Sequence, residues 1–473
     1  MRGVEVGSIP LDRLASLLDK ERAERLLDYA VRARALLADR IVWNVNATAT
    51  GGGVAEMLQA LLAYGRGAGV DTRWLVLDGT PDFFRITKRV HNHLHGSPGD
   101  GGPLGAAERA AYEAALAPNL EHLLEVVRPQ DVVLLHDPQT AGLVPALREA
   151  GLHPVWRCHI GRDSPNDLTA SGWEFLRRYV EPSEAVIFSR PVYAPEWIDP
   201  ARRWSIPPSL DPFTAKNRDL AVSEVEATLS YAGLVSPDGH PDVAFTRRDG
   251  STGMLRRHRG LALTGGPVPD DVRVVLQVSR WDRLKDMPGV LEGFAARLPD
   301  LPGDVHLMLV GPDVSGVTDD PEGREVLEEC LTAWRAQPEA ARARVHLCSL
   351  PMDDIDENAH LVNALQQHAA VVVQKSLVEG FGLTVTEPMW KARPVVASRV
   401  GGIQDQIVHG QSGLLLDDPR DLDEFGERIA EVLRDHALAH RLGTAARERV
   451  RQQFLGDRHL AQYVDLFQRV LEG

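Results

Sequence analysis

Gln374-Lys375-Ser376-Leu377-Val378-Glu379-Gly380-Phe381-Gly382-Leu383-Thr384-Val385-Thr386-Glu387 follows a short apolar run, Ala369 to Gln374, of the kind that fills the middle of a parallel sheet. The run predicts a buried strand. Gly380 and Gly382 supply backbone freedom and bare N–H groups, while Leu383, Val385, Met389 and Trp390 begin a helical apolar spacing. The turn therefore leads from a strand into a helix. A helix N-terminus at the carboxyl end of a parallel strand favours phosphate, through its free N–H groups and its dipole. Glu379 would repel a phosphate and suits sugar hydroxyls instead; Glu387, two helical turns on, suits a ribose. On spacing alone the pair reads better as two solvated helix charges, and a clamp on a nucleotide sugar needs support from elsewhere in the chain.

Outward from this stretch the same rhythm repeats. Val274 to Val278, Val305 to Val310, Val345 to Leu347, Ala370 to Val373, Val395 to Ala397 and Leu414 to Leu416 are short apolar runs separated by helical stretches, which predicts a doubly wound domain. Upstream, Pro207, Pro208 and Pro212 break the pattern and mark a hinge. Before them Ile41 to Val45, Thr72 to Leu77, Val132 to Leu135, Val155 to His159, Ala185 to Ser189 and Trp204 to Ile206 predict a second α/β sheet. Leu14, Leu17, Leu18, Leu26 and Leu27 make residues 11–38 an amphipathic helical lead-in. The expected domains are 1–212, 213–450 and a C-terminal helix over 451–473 that returns to the first domain, the last helical stretch starting near Asp421. Asp238 to Leu261, poor in apolar residues, predicts an insertion or mobile loop.

The 473 residues are 44% hydrophobic and 25% charged, a globular profile with room for two or three domains. A net charge of −15 argues against nucleic acid or anionic membrane as the main partner. Met1 to Pro10 lacks a basic-then-apolar signal, and no apolar run approaches the ~20 residues of a membrane span, so a cytoplasmic location is expected. Cys158, Cys330 and Cys348 are too scattered for a disulfide framework or a paired-cysteine zinc site and read as packing residues.

Two such domains imply a ligand between the carboxyl ends of their strands. Those ends carry Asn44-Val45-Asn46 before Gly51-Gly52-Gly53, then His136-Asp137-Pro138-Gln139, His159, Arg280 with Lys285, Gly311, Lys375 with Glu379, and Gly401-Gly402. The triple glycine leads into a helix and reads either as a pyrophosphate cradle or as a flexible turn. Arg280 and Lys285 combine a bidentate fork with a point charge, suited to a diphosphate, against the alternative of two surface cations. His91, His93 and His95 would share one face of an extended segment, yet no carboxylate or cysteine completes a metal site, which leaves a polar loop. His159 reads either as a buried structural histidine or as a ligand contact.

Taken together these residues resemble the retaining glycosyltransferases of family 4. Carrying the resemblance over nearly the whole chain are Val45 to Glu56, His136-Asp137-Pro138-Gln139, Trp156-Arg157-Cys158-His159-Ile160, Ile206 to Pro212, Gln277-Val278-Ser279-Arg280, Gln374 to Glu387 and Val400 to Gln406. The resemblance implies the GT-B fold, two Rossmann-like doubly wound domains facing across a cleft. It also implies transfer of glucose from ADP-glucose or UDP-glucose to a glucose acceptor, giving trehalose with the α configuration kept. A retaining trehalose phosphorylase and a non-catalytic nucleotide- or sugar-binding module are the rival readings. The resemblance gives catalytic roles to Arg280, Lys285, Glu379 and His159. Gly51, Gly52, Gly53, Gly311, Phe381, Gly382, Leu383 and Glu387 would bind the donor. His136, Asp137, Lys88 and Asn92, with Phe83, Phe84 and His91, would shape the acceptor pocket. No metal site and no tightly bound cofactor are expected, though Mg²⁺ can accompany the diphosphate; a homodimer is among the expectations. Two departures stand out: Gly161 follows Ile160 where an acidic residue is expected, with Asp163 as a candidate substitute, and Arg283 and Met287 flank Lys285 unusually.

Overall fold

In the computed structural model, which describes residues 1–49, 53–236, 242–248, 250–257, 262–314 and 321–472, each apolar run read as a strand forms one. The chain divides into two compact units. The first comprises Met1–Leu210, Glu379–Phe381 and Gln453–Gly473; the second comprises Asp211–Val378 and Gly382–Gln452.

The first unit is built on strands β1 (Arg2–Val4), β2 (Ile41–Asn46), β3 (Asp71–Val76), β4 (Val132–His136), β5 (His153–Cys158), β6 (Ala185–Phe188) and β7 (Arg203–Ser205). Their order is β1-β3-β2-β4-β5-β6-β7, parallel except for β1 on β3. Alternate residues face opposite sides, as a pleated strand requires. Trp43, Val45, Val133, Leu135, Trp156 and Cys158 enter one core, and Val42, Leu134, Val155 and Ile187 enter another with Tyr463, Val464, Leu466 and Phe467. The C-terminal segment thus covers one face of this sheet. The lead-in forms helices Leu11–Ala15 and Lys20–Leu36, the second capped where Asp19 accepts from the Arg22 N–H at 2.9 Å.

The stretch after Asp421 is three helices rather than one: Leu422–Arg434, His436–Gln453 and Gly456–Glu472. Asp435 breaks the first by turning extended, and its side chain accepts from the Leu438 N–H at 2.9 Å, which restarts the chain as a new helix. At the second break, Phe454 accepts from the Leu210 N–H at 2.8 Å.

The second unit's main sheet contains β8 (Ala262–Thr264), β9 (Arg273–Val278), β10 (Val305–Pro312), β11 (Val345–Leu350), β12 (Val371–Gln374), β13 (Val395–Ser398) and β14 (Leu414–Leu416). The order is β8-β11-β10-β9-β12-β13-β14, with β8 alone antiparallel. Both of its faces are buried, which is why these strands read as unbroken apolar runs. The expected mobile loop over Asp238 to Leu261 is, in its described part, an antiparallel pair of Ala244–Thr246 with Thr252–Met254. Apolar and charged contacts both fasten it: Val243, Phe245 and Leu255 are buried, Phe245 stacking on His360 with centroids 5.3 Å apart, while Arg247 pairs bidentately with Asp354 at 2.9 and 2.6 Å and Arg256 pairs with Glu357. All three cysteines are free and buried, as packing residues should be.

Leu466 is fully buried against the first sheet. Leu466→Ala is expected to cost about 2–5 kcal/mol, read as a lower midpoint in denaturant with the helical signal of the native state retained.

Candidate active site

In the second unit the strand ends of β9 and β12 carry the candidate chemistry. Lys375, one residue past β12, is only 1% exposed, and its ammonium pairs with Asp286. Asp286 sits at φ 49°, a left-handed conformation an aspartate tolerates better than most residues, and ends the turn Arg283–Lys285. Gln277 of β9 braces the same turn, donating to the Lys285 carbonyl at 2.9 Å, and the Leu377 N–H donates to the Leu284 carbonyl at 2.8 Å. Arg280 bridges Asp282 at 3.1 Å and remains half exposed, so its fork is oriented while still open to a ligand. Arg283, the unusual neighbour of Lys285, is turned to Glu325 and Glu329 at 2.9 and 2.8 Å.

Gly382 adopts φ 90° and ψ 64° and opens helix Leu383–Trp390, the strand-turn-helix read from the sequence. Glu387 on this helix is 4% exposed: Lys216 approaches one carboxylate oxygen at 3.1 Å and Gln366 donates to the other at 3.1 Å. It is a buried, oriented acceptor, not a solvated charge. A carboxylate offers about four lone-pair sites, so two remain for a diol. Lys391, whose ammonium donates to Gln366 at 2.6 Å, is pushed down to about 7 by burial. Gly311 has a packing reason for lacking a side chain: a Cβ there would lie 2.4 Å from the Trp281 indole, itself buried and donating to the Pro312 carbonyl at 2.9 Å.

In the first unit, His136 at the end of β4 and His159 just past β5 meet, His136 Nδ1 lying 3.1 Å from His159 Nε2. His136 Nε2 lies 3.1 Å from Asn44 Oδ1 of β2. Asp137, at φ 65°, turns its carboxylate back to accept from the His159 N–H at 2.7 Å. Burial lowers His136 to about 3, drives His159 well down and raises Asp137 to about 7, with the Arg157 guanidinium opposing protonation at all three. Arg157 is fully buried and donates to the Tyr463 hydroxyl, to His459 Nε2 at 3.2 Å and to the Ile206 carbonyl at 2.9 Å.

The tripeptide Glu379–Phe381 counts with this unit. The Tyr193 hydroxyl donates to the Gly380 carbonyl at 2.7 Å, and a Cβ on Gly380 would lie 2.6 Å from the His159 carbonyl oxygen, so close approach explains that glycine. The Tyr193 ring also accounts for Gly161, where a Cβ would meet it at 2.2 Å. No acidic side chain fits there without displacing the tyrosine. Asp163, the candidate substitute, is paired with Arg190.

The acceptor residues require correction in their local structure. His91, His93 and His95 are not on an extended segment: Thr80 caps helix Pro81–Leu94, accepting from the Phe83 N–H at 3.2 Å, so alternate residues diverge. His91 and His95, one turn apart, meet edge to face with centroids 4.9 Å apart, while His93 is buried on another side. Phe83 leaves the pocket for the core, stacking on Tyr112 with centroids 5.6 Å apart. Phe84, Lys88, His91 and Asn92 remain partly exposed on the helix, whose end adjoins the segment after His159 through His95 Nδ1 and the Gly161 carbonyl at 3.2 Å. Gly51 and Gly52 lie outside the described residues; Gly53 is the first residue of helix Gly53–Gly67. Among the described residues no cluster of three or more His, Cys, Asp or Glu could hold a metal, and no helix is long and apolar enough to cross a membrane. Sequence reading passed over Asp286, Gln366, Lys216 and Tyr193, each distant in the chain from the residue it holds and marked by no local pattern.

Residues 44–195 match the family model for the N-terminal domain of trehalose synthase, and residues 265–449 match that for glycosyl transferases group 1. A trehalose synthase of Pyrococcus horikoshii is 34% identical over 461 residues, 97% of this chain and 96% of that protein. A trehalose phosphorylase of Pleurotus sajor-caju is 27% identical, over 86% of this chain and 54% of that one. Among solved structures, a sucrose-phosphate synthase from Thermosynechococcus elongatus superposes with a TM-score of 0.64 at 19% identity, covering 92% of this chain and 99% of that one.

Two outcomes test this geometry. Asp286→Ala strands the buried Lys375 charge and is expected to cost about 3–5 kcal/mol, measured by chemical denaturation, with Asp286→Asn costing less because asparagine keeps an acceptor and tolerates positive φ. For Asp137, a folded pKa above the unfolded one means the stability of the protonated form is fully present below 3.8 and is lost as pH rises to about 7. Asp137→Asn cannot ionise, so the melting temperature of the variant should rise relative to the parent across that window and level off above it.

Proposed function

Because the chain belongs to the trehalose synthase family of group 1 glycosyl transferases, we propose that it makes trehalose by transferring glucose, with retention, from a nucleoside diphosphate glucose to free glucose. It is a GT-B glycosyltransferase with two Rossmann-like domains. The observation that carries the reading is the length of the match to the trehalose synthase, 97% of this chain and 96% of the relative, against 54% of the phosphorylase at lower identity.

The chemistry of the residues supports it. Arg280 and Lys285 would hold the diphosphate and stabilise the charge that builds on the leaving oxygen. The N-terminus of helix Leu383–Trp390 would add its N–H groups, Glu379 would orient the donor glucose, and Glu387 would take the ribose hydroxyls with its remaining lone pairs. Gly53 would begin the helix that meets phosphate and sugar, and Mg²⁺ could accompany the diphosphate without a protein cage. On the acceptor side, Asp137, Lys88 and Asn92 would flank the second sugar; His136, expected there too, is buried with both ring nitrogens bonded to His159 and Asn44, and stands behind His159 instead.

A retaining hydrolase uses a carboxylate nucleophile. Here front-face substitution is the better fit: the acceptor oxygen bonds to the anomeric carbon as the bond to the phosphate oxygen breaks. The acceptor proton passes to that leaving oxygen, giving trehalose and nucleoside diphosphate. The protein would act by positioning and electrostatics.

Incubating the protein with ADP-glucose or UDP-glucose and a panel of sugars should release nucleoside diphosphate and yield trehalose with glucose as acceptor. Cleavage of trehalose by inorganic phosphate without nucleotide would instead assign the phosphorylase reaction. Glu379→Ala and Lys285→Ala are each expected to lower turnover by about 10²-fold or more without changing the melting temperature; near-normal turnover in either would refute its role.

A further inference from the structure

Three neighbouring parallel strands, β2, β4 and β5, bring Asn44, His136 and His159 into one line of hydrogen bonds. We propose that Asn44 is a positioning residue that fixes the tautomer of His159 through His136, so that His159 offers the sugar a bare Nδ1 and accepts a hydroxyl hydrogen bond. The inference rests on the glycosyl-transfer reading above and deepens it by assigning the direction of one contact.

The direction follows from what each atom can do. Asn44 is 1% exposed and presents its carboxamide oxygen to His136 Nε2 at 3.1 Å. With the carboxamide turned this way its oxygen only accepts, so the proton of His136 sits on Nε2. A neutral imidazole has one such proton, which leaves His136 Nδ1 bare, 3.1 Å from His159 Nε2. His159 must then donate from Nε2, and its own Nδ1 is left as an acceptor. The ring geometry agrees: centroids 5.4 Å apart with planes 13° apart are what two imidazoles joined nitrogen to nitrogen in nearly one plane give, not two rings lying face on face.

Both rings must be neutral for these tautomers to hold, and their surroundings enforce this. Arg157 of β5 is fully buried, and among the described residues its guanidinium donates only to neutral groups. Because arginine cannot accept, His459 Nε2 is bare toward it, and the His459 Nδ1–H donates to Ser209 Oγ at 2.8 Å, so this third histidine is also held in one tautomer. Asp137, the carboxyl group beside His159, meets its backbone N–H and not its ring. A second proton on His136 or His159 would place another buried cation beside Arg157.

Two-bond ¹H–¹⁵N spectra of the full chain labelled with ¹⁵N-histidine read the tautomers directly. His136 and His159 are expected as neutral Nε2–H forms at neutral pH. Asn44→Leu should release both rings into mixed tautomers and lower kcat about tenfold with the donor KM little changed. A spectrum showing His159 as the Nδ1–H form would overturn the proposal. So would a folded Asn44→Leu protein that kept both the Nε2–H tautomers and full turnover. If that variant does not fold, the parent spectrum still decides. Failure of the functional reading looks different: no sugar transfer with any donor, while the Nε2–H signals remain.

Discussion

A lysine ammonium taken out of water at the end of a central strand needs a counter-charge, and Lys375 finds it in Asp286, across from β12 at the start of helix Met287–Arg297. This pair connects the two sequence segments on which the second unit's candidate chemistry depends. Gly289 is part of the arrangement, since a Cβ there would lie 2.4 Å from an Asp286 carboxylate oxygen. With Asp286 fixed in its left-handed conformation, the Arg283–Lys285 turn has one course to follow, and Gln277 and Leu377 hold it from either side. The cations suited to diphosphate and the turn that opens helix Leu383–Trp390 therefore share one scaffold.

The first unit meets a comparable problem with a different solution. Arg157 is as deeply buried as Lys375 but is surrounded by a hydroxyl, an imidazole and a carbonyl, not a carboxylate. Two of those partners, His459 and Tyr463, belong to helix Gly456–Glu472, so the C-terminal segment does more than cover apolar surface. It solvates the charge beneath His136 and His159. Arg22, which grips Asp457 with bonds of 2.8 to 3.0 Å, ties the start of that helix to the lead-in.

The strands were legible because parallel sheets buried on both faces leave unbroken apolar runs, and Gly382 marked its turn because positive φ selects glycine. His136, Asp137 and His159 were readable as strand-end residues, and the structure gathers them. What the sequence could not disclose were interactions whose partners lie far apart: Lys375 with Asp286, Glu387 with Lys216 and Gln366, and Gly161 with Tyr193. The histidine segment misled for a local reason. Alternation at 91, 93 and 95 resembles an extended pattern, but Thr80 and Pro81 start a helix that carries through it. At Gly311 and Gly380 the glycine was visible but its cause was not, being an indole in one case and a carbonyl oxygen in the other.

The glycosyl transfer proposed for this chain makes opposite electrostatic demands on its two reacting groups. Bond breaking puts negative charge on the departing phosphate and positive charge on the sugar ring. Cations belong beside the first and would oppose the second. Arg280 and Lys285 belong to the second unit, whereas in the first unit burial keeps two imidazoles uncharged, His136 lowered to about 3 and His159 well below its ordinary value, and pushes the Asp137 carboxyl up to about 7. On the role proposed for His159, an imidazolium there would repel the developing oxocarbenium. Burial first, and then Arg157 as a buried cation nearby, disfavour a proton on this imidazole, which is the condition that the lone-pair role proposed for His159 requires.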